Sequence, residues 1–586
     1  MTDANEKIEL NEIEGQTLSR RWFLGAALAT AAAGPAAAAA TATVGQPDQE
    51  IVGPDPAATL RDRPITVDDV RTALAVAGIE FRESDLPMLA ETIPNGRRQY
   101  IRRRENGPPE QPPASVFRVK GDPAEGNARH AGRGIVIPEN APPPGSVDDI
   151  VFAPAWHQAS WLRQRIITSE QLTRFYLDRI DRLSPRLNNI ITVMRDSALE
   201  QARRADREIA AGNIRGPLHG LPYGAKDLFD TAGVRTTYGA APFRDRVPDK
   251  TAVIIDRLQE AGAVLLAKTS LGALAYGDIW FGGTCRNPFD PEQGSSGSSA
   301  GSASAASAGM FSFTIGTETL GSIVSPCMRC GSAGLRPTFG RVPRTNSMEL
   351  CWSLDKVGPI CRTIADTAMV LDAMNGADDG DPSSVDAPFD CDLTASVEGL
   401  RVGYIPGSLN PRNEEIDKPV FDACRDAGME LVELDFEAPR WTGLMRVALN
   451  VEAATAFEQL TLSGRDAELT WQAPQAWPNT FRASWLVPAP EIYQADRYRR
   501  QAMNLFDDLM RENNLDAIVG PSFSASLLLM TNFTGTPCAV IRTSMPRPTR
   551  PYGHTVWGRA FGEGVMTRIA LEIERRLGAW KVRPRL

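Results

Sequence analysis

This sequence has no excess of basic residues, few long apolar runs and few histidines. Its 586 residues include 63 lysines and arginines against 72 acidic residues, which gives a net charge of −9. The chain therefore offers no basic surface for nucleic acid or for an anionic membrane. Beyond the N-terminal region no run is long and apolar enough to span a bilayer, so we predict no stable membrane anchor. The four histidines occupy positions 130, 157, 219 and 554.

Cysteine pairs with metal-binding spacing are equally scarce. The eight cysteines include one C-x-x-C, from Cys327 to Cys330, and no second pair follows it. A structural zinc site with four cysteine ligands needs two such pairs, so we predict no zinc site. The sequence assigns no disulfide pairing.

Residues 1–42 resemble a twin-arginine export signal. Arg20 and Arg21 precede a weakly apolar run at 25–33, then Pro35 and a series of small residues. The modest hydrophobicity distinguishes such a signal from a membrane anchor. An alanine-rich tail with a chance arginine pair is the alternative. We expect cleavage near residues 40–42 and a periplasmic or extracellular location.

Small residues dominate the stretch 294–340, which contains eleven serines and no large side chain before Met310. Such a segment cannot fill a core by itself, so we interpret it as a place where backbone groups and hydroxyls are needed. A flexible linker is the alternative, but the apolar residues 310–315 predict a buried strand. Serine hydroxyls and unhindered N–H groups are what acyl transfer requires, a nucleophile and an oxyanion site.

A general base is missing from this stretch. No histidine lies within it, so a histidine-based triad depends on proximity in the fold and stays open. Lys226 is the other candidate, because it ends a short apolar run between glycine-rich turns. Most lysines are solvated surface charges. At the end of a buried strand, however, desolvation favours the neutral amine, which can accept a proton.

The serine-rich stretch resembles the amidase signature family. The family pattern GGSSGGSAAA is matched by residues 296–303, and GTDTGGSIRxPAxxCGxxGLKPTxGRV is matched by residues 316–323 and 334–342. The similarity extends from residue 146 to the C-terminus. The resemblance implies an α/β fold in which helices flank both faces of a large mixed β-sheet.

The family uses a Ser-Ser-Lys triad, and the resemblance implies a role for each matching residue. Lys226 is the general base, Ser298 the bridging serine beside a cis peptide bond, and Ser322 the acylated nucleophile. The oxyanion hole consists of the backbone N–H groups of Thr319, Leu320, Gly321 and Ser322. No metal or organic cofactor is implied.

Three positions depart from the family pattern. Glu318 replaces the usual Asp, Leu320 replaces a Gly, and Val324 stands where an Arg is common. Leu320 can still donate its N–H if its φ is negative, whereas a positive φ would strain it. The departures therefore bear on loop geometry and substrate fit more than on the reaction.

A competing motif covers part of the same stretch. Residues 297–301 fit G-x-S-x-G, the nucleophile elbow of α/β-hydrolases, which would make Ser299 the nucleophile. That motif requires a buried apolar strand just before the serine. The preceding residues, DPEQGS at 290–295, cannot form one, so we favour Ser322.

The sequence divides into three parts: a signal peptide at 1–42, an N-terminal extension with a proline-rich linker at 43–145, and an amidase domain at 146–586. Alternating helical and strand patterns in the third part predict a sheet sandwiched by helices. Helices are predicted at 65–77 with Thr66 as N-cap, and at 80–92, 147–163, 168–183, 196–211, 252–261, 302–309, 364–374 and 565–577. Strands are predicted at 221–226, 263–267, 310–315 and 400–405.

An aromatic-rich excursion occupies residues 440–500. It carries Trp441, Trp471, Trp477 and Trp485 among helical segments. These side chains either line a substrate pocket or pack the core of a helical cap, and the sequence does not decide between the two.

We expect an exported amidase that cleaves a carboxamide C–N bond in a small-molecule or peptide substrate. An amidotransferase A-subunit-like protein with tRNA partners is one alternative, which an export signal and an acidic chain disfavour. A catalytically degenerate amidase fold that serves in binding is another, supported by the three departures alone. The oligomeric state stays open, with a homodimer among the options.

Overall fold

The computed structural model describes residues 63–105, 135–138, 140–522 and 524–586, all within one compact unit, Val52–Leu586. The export signal predicted at 1–42 and His130 lie outside the described residues. An eleven-stranded mixed β-sheet runs through the unit, and helices pack against it. The predicted α/β fold is confirmed.

The sheet has the strand order β14-β13-β15-β17-β16-β10-β11-β9-β3-β4-β2, and the pairs β1-β12, β5-β6 and β7-β8 stand apart from it. The strands are β1 (Ile135–Val136), β2 (Ile190–Val193), β3 (Pro222–Lys226), β4 (Val264–Thr269), β5 (Ile279–Trp280), β6 (Gly283–Thr284), β7 (Arg286–Asn287), β8 (Asp290–Gly294), β9 (Phe313–Glu318), β10 (Ala333–Arg336), β11 (Lys356–Cys361), β12 (Cys391–Asp392), β13 (Arg401–Tyr404), β14 (Glu430–Glu433), β15 (Ala517–Pro521), β16 (Cys538–Arg547) and β17 (Arg550–Gly558).

Strand β3 is an inner strand of the sheet, and Lys226 is its last residue, at the carboxyl end. It pairs in parallel with β4 and with β9, and every residue of these three strands is buried. Parallel strands place their carboxyl ends at the same edge, so Lys226 lies beside the last residues of β9, Thr317 and Glu318. Strand β11 runs antiparallel to β9 and pairs Lys356 with Glu318.

Helices occupy much of the remaining chain. They are α1 (Val67–Ala77), α2 (Leu86–Glu105), α3 (Val147–Val151), α4 (Ala155–Arg163), α5 (Ser169–Leu187), α6 (Arg195–Ala210), α7 (Val253–Glu260), α8 (Ala300–Ser307), α9 (Val324–Cys330), α10 (Ile364–Met374), α11 (Glu414–Asp426), α12 (Arg446–Ala456), α13 (Glu458–Leu462), α14 (Trp477–Ser484), α15 (Ala489–Glu512), α16 (Ala525–Thr534) and α17 (Glu563–Leu577). None of the helices in the described ranges is both long and apolar enough to cross a membrane.

Two helix predictions need correction. The segment 147–163 forms two helices, α3 and α4, because the chain breaks before Pro154, which disfavours a helical conformation in the residue that precedes it. The segment 80–92 begins with a short 3₁₀ turn at Glu83–Asp85, and α2 then starts at Leu86 and continues past Pro94. The N-cap prediction is confirmed, since the Thr66 hydroxyl accepts a hydrogen bond from the N–H of Asp69.

The first two helices pack against the aromatic-rich excursion. The Arg103 guanidinium binds the buried Glu491 carboxylate of α15 at 2.6 and 2.8 Å. Asn479 of α14 donates a hydrogen bond to the Thr92 hydroxyl at 2.8 Å. Leu74 and Leu89 belong to an apolar cluster that includes side chains of the excursion. Residues 63–105 therefore share a core with the excursion.

Candidate active site

Lys226 is the buried centre of the site. Its Nζ atom lies 2.8 Å from the Ser298 hydroxyl, 2.8 Å from the Thr317 hydroxyl and 3.1 Å from the Ser299 hydroxyl. The side chain is fully buried, and this burial lowers the pKa of Lys226 to about 7. Near neutral pH a substantial fraction of this amine is unprotonated and able to accept a proton.

The hydroxyls of Ser298 and Ser299 differ in their hydrogen bonds. The Ser299 hydroxyl donates to the Thr317 carbonyl at 3.0 Å and accepts from the Thr317 N–H at 3.2 Å, so strand β9 holds it. The Ser298 hydroxyl has Lys226 as its hydrogen-bond partner among the described residues. Of the two serines, Ser298 is thus the one whose hydroxyl is not held by the backbone, and the Thr317 hydroxyl contacts the amine at the same distance.

Close backbone packing positions Ser298. The peptide bond between Gly297 and Ser298 is cis. A Cβ added at Gly297 would stand 1.8 Å from the carbonyl oxygen of Gly277. Position 297 therefore requires glycine, because a side chain there would overlap the backbone of the neighbouring loop.

Ser322 lies on the loop between β9 and α9. The N–H of Ser299 donates to the Ser322 carbonyl at 3.1 Å, which fixes this loop beside Ser298. Lys226, Ser298 and Ser322 are all buried, with 0%, 1% and 7% of their surface exposed. No hydrogen bond joins the Ser298 and Ser322 hydroxyls within the described part of the chain.

Unpaired backbone N–H groups precede Ser322. In the described chain, the N–H groups of Leu320, Gly321 and Ser322 donate to no acceptor. The positive φ in this turn, 81°, falls on Gly321 and not on Leu320. The replacement of glycine by Leu320 therefore causes no backbone strain here, and the turn has N–H donors free for a ligand oxygen.

Glu318 ties this loop to the sheet. One carboxylate oxygen accepts from the N–H groups of Ile323 and Val324 at 2.8 and 2.9 Å. The other accepts from Arg336 at 2.7 Å and from Asn532 at 2.8 Å. All of this network is buried, so the longer side chain that replaces the usual aspartate has a complete set of partners.

We expect Glu318→Gln to lower the free energy of unfolding by about 3–5 kcal/mol, because Arg336 would stay buried without its counter-charge. Urea unfolding monitored by tryptophan fluorescence measures this change. Glu318→Asp, which keeps the charge, is the matched control and should lose less. An unchanged unfolding midpoint in Glu318→Gln would contradict the assigned role.

The described histidines contact none of these serines. His219 pairs with Glu208 and His554 with Asp417, at 3.0 and 3.1 Å, while His157 packs on Trp156. The open alternative of a histidine-based triad therefore finds no support. The eight cysteines are free and buried, and no metal-binding group of side chains occurs in the described ranges.

The nucleophile-elbow alternative also fails on geometry. Residues Asp290–Gly294 do form a strand, β8, but it pairs with β7 outside the main sheet and is partly exposed. Sequence reasoning missed the Thr317 hydroxyl as a partner of Lys226. The G-T-E-T motif contained that threonine, but nothing in the spacing indicated that its side chain faces β3.

A family model described as Amidase matches residues 171–545, more than half of the chain. The chain belongs to the amidase signature family. Members of this family are hydrolases that act on amide bonds, and the fold agrees with solved amidases. The native peptide amidase from Stenotrophomonas maltophilia superposes with a TM-score of 0.65 at 28% identity, covering 74% of this chain and 98% of that one.

Other relatives match over larger or smaller parts of the chain. An amidase family protein from Bacillus anthracis str. Ames has a TM-score of 0.67 at 26% identity, over 75% of this chain and 93% of its own. The A subunit of the glutamyl-tRNA(Gln) amidotransferase from Pelobacter propionicus is 38% identical over 283 residues, 47% of this chain. The chain spans 58% of that relative's length.

Proposed function

We propose that this chain is an exported amidase that hydrolyses a carboxamide C–N bond to a carboxylate and ammonia or an amine. The observation that carries the proposal is the 2.8 Å contact between the buried Lys226 amine and the Ser298 hydroxyl, beside a turn with unpaired N–H groups. A buried amine with a lowered pKa next to a hydroxyl can act as the base that removes a proton from a nucleophile through that hydroxyl.

In the proposed mechanism, neutral Lys226 takes the Ser298 proton while Ser298 takes the proton of Ser322. The Ser322 oxygen attacks the substrate carbonyl, and the N–H groups of residues 319–322 stabilise the oxyanion. Ser298 then protonates the leaving nitrogen and regains a proton from Lys226, the C–N bond breaks, and an acyl-enzyme forms with Lys226 neutral again. Water repeats the sequence and releases the carboxylate. These steps need neither a metal nor an organic cofactor.

The missing hydrogen bond between Ser298 and Ser322 is compatible with this scheme. Catalytic hydrogen bonds are often long without substrate and tighten in the complex. The loop that carries Ser322 is already held beside Ser298 through the N–H of Ser299.

A substrate screen with the mature protein tests the proposal. The panel contains primary amides, anilides, C-terminally amidated peptides and glutamine, and the readout is released ammonia or amine. Glutamine as the preferred substrate would favour the amidotransferase alternative, in line with the similarity to the amidotransferase relative. Failure to hydrolyse any amide, with no covalent label at Ser322, would favour the binding-protein alternative.

Export is proposed from residues 1–42. We expect the Arg20→Lys, Arg21→Lys double variant to keep its precursor in the cytoplasm, because twin-arginine signals are recognised through the arginine pair. Fractionation and immunoblotting follow the precursor and the shorter mature form. Normal export of the double variant would refute the signal assignment.

A further inference from the structure

Helix α12 is linked to the turn that precedes Ser322. Its Glu452 carboxylate accepts from the N–H and the hydroxyl of Ser353, at 2.9 and 2.5 Å. Two residues later, the Asp355 carboxylate accepts from the Thr319 hydroxyl at 2.5 Å. This series of contacts links α12, through residues 353–355, to the turn that carries the unpaired N–H groups.

Helix α14, which packs on α12, contacts the loop at 274–277, and that loop packs against the segment carrying Ser298. α12 packs on α14, whose Trp477 donates from Nε1 to the Leu274 carbonyl at 2.8 Å. Tyr276 packs between Trp477 and Trp471, with ring centroids 5.0 and 5.3 Å away. The next residue, Gly277, is the one whose carbonyl packs against Gly297. Aromatic rings therefore stand beside the loop that carries Ser298.

Arg446, the first residue of α12, is a half-buried cation without a partner. Among the described residues its guanidinium makes no hydrogen bond and no ion pair, and its Nε atom is buried and unsatisfied. The first turn of α12 contains no acidic residue. Burial lowers the pKa of Arg446, and the nearby Tyr276 opposes this shift.

Other buried arginines of the described chain donate either to carboxylates or, as Arg362 and Arg542 do, to backbone carbonyls. Arg336 binds Glu318 at 2.7 Å, and Arg482 binds Asp466 at 2.6 Å. An unpaired buried charge is costly because desolvation is not repaid by a counter-charge. Arg446 differs from these arginines because its half-buried guanidinium donates to no acceptor of the described chain, and it lies near Tyr276, next to the loop that contacts Gly297.

We infer that Arg446 binds a carboxylate of the substrate, while Tyr276 and Trp471 contact an adjoining apolar group. The inference rests on the proposed function and narrows its substrate class to amides that carry a carboxylate near an apolar or aromatic part. Guanidinium groups bind carboxylates through paired hydrogen bonds, which adds orientation to attraction. Arg446 is thus a specificity-determining residue.

The test compares matched substrates with and without a carboxylate. On the acyl side these are succinyl- and acetyl-phenylalanine amide, and on the amine side a 4-carboxyanilide and the plain anilide. In at least one of the two pairs, we expect the wild-type kcat/KM for the carboxylate-bearing substrate to exceed that for its neutral partner by about ten-fold or more. The difference should arise mainly from a lower KM. Arg446→Gln should remove this preference and leave the neutral substrates within about three-fold.

Conservative and distant variants serve as controls. Arg446→Lys, which keeps the charge, should retain part of the preference, and Arg511→Gln, on the exposed end of α15, should retain all of it. Equal losses on charged and neutral substrates in Arg446→Gln, or a wild-type preference for neutral amides, would overturn the inference and leave amide hydrolysis standing. Absence of any amide hydrolysis would overturn the proposed function itself.

Discussion

Replacing Ser322 with alanine is expected to abolish amide hydrolysis, with kcat falling by roughly 10⁶-fold. The proposed reaction passes through an acyl-enzyme on this oxygen, so its removal leaves no site for the acyl group. Rates on the best amide of the substrate screen measure the loss. A fluorophosphonate probe followed by peptide mapping should label the peptide that contains Ser322 and leave the alanine variant unlabelled.

Two other serines serve as controls for this experiment. Ser298→Ala should slow turnover severely but still allow some labelling of Ser322, because the nucleophile remains while its proton relay is lost. Ser299→Ala should keep the label on Ser322, since the Ser299 hydroxyl is bound to the backbone of β9. A label on Ser299, or full activity in Ser322→Ala, would refute the mechanism.

Regular periodicity predicted much of the fold. The pattern at 364–374 gave the bounds of α10, and the apolar run at 221–226 gave β3, because local burial patterns determine such elements. The order of the eleven strands could not be predicted in this way. It depends on pairings between distant segments, such as β10 with β16, for which neither segment carries a local signal.

The site was predictable where the family motif covers it and less so elsewhere. Lys226 and Ser298 are in contact as the resemblance implies. Resemblance could not supply the partners of Glu318, since Arg336 and Asn532 come from separate strands and helices. Arg446 carries no motif, and its significance emerges from the absence of a partner among the described residues of the folded chain.

Activity is expected to rise with pH along a limb centred near pH 7, because Lys226 must be neutral to accept a proton and burial lowers its pKa to about 7. Lys226→Met should flatten this limb and reduce kcat by about three or more orders of magnitude. The pH dependence of kcat/KM between pH 5 and 10 measures both effects. A Lys226→Met enzyme with a near wild-type rate would refute the role as base.

Stability measurements separate lost chemistry from lost folding in Lys226→Met. The folded pKa of about 7 lies below the ordinary lysine value of 10.5, so unfolding takes up a proton between these values. Lys226 therefore destabilises the wild-type fold increasingly as pH falls from 10.5 to 7, and by a constant amount below pH 7. The methionine variant, which has no such charge, should unfold at an equal or higher temperature at pH 7.

Lys356 is the control that assigns the limb. It is also buried, and burial lowers its pKa to about 7, but its Nζ donates to the Leu354 carbonyl and contacts no serine of the site. Because both lysines have a pKa of about 7, the pH dependence of the wild-type kcat/KM does not by itself show which of them titrates. Lys356→Met should keep the limb near pH 7 whatever its overall rate, whereas loss of the limb in this variant would transfer the titration from Lys226 to Lys356.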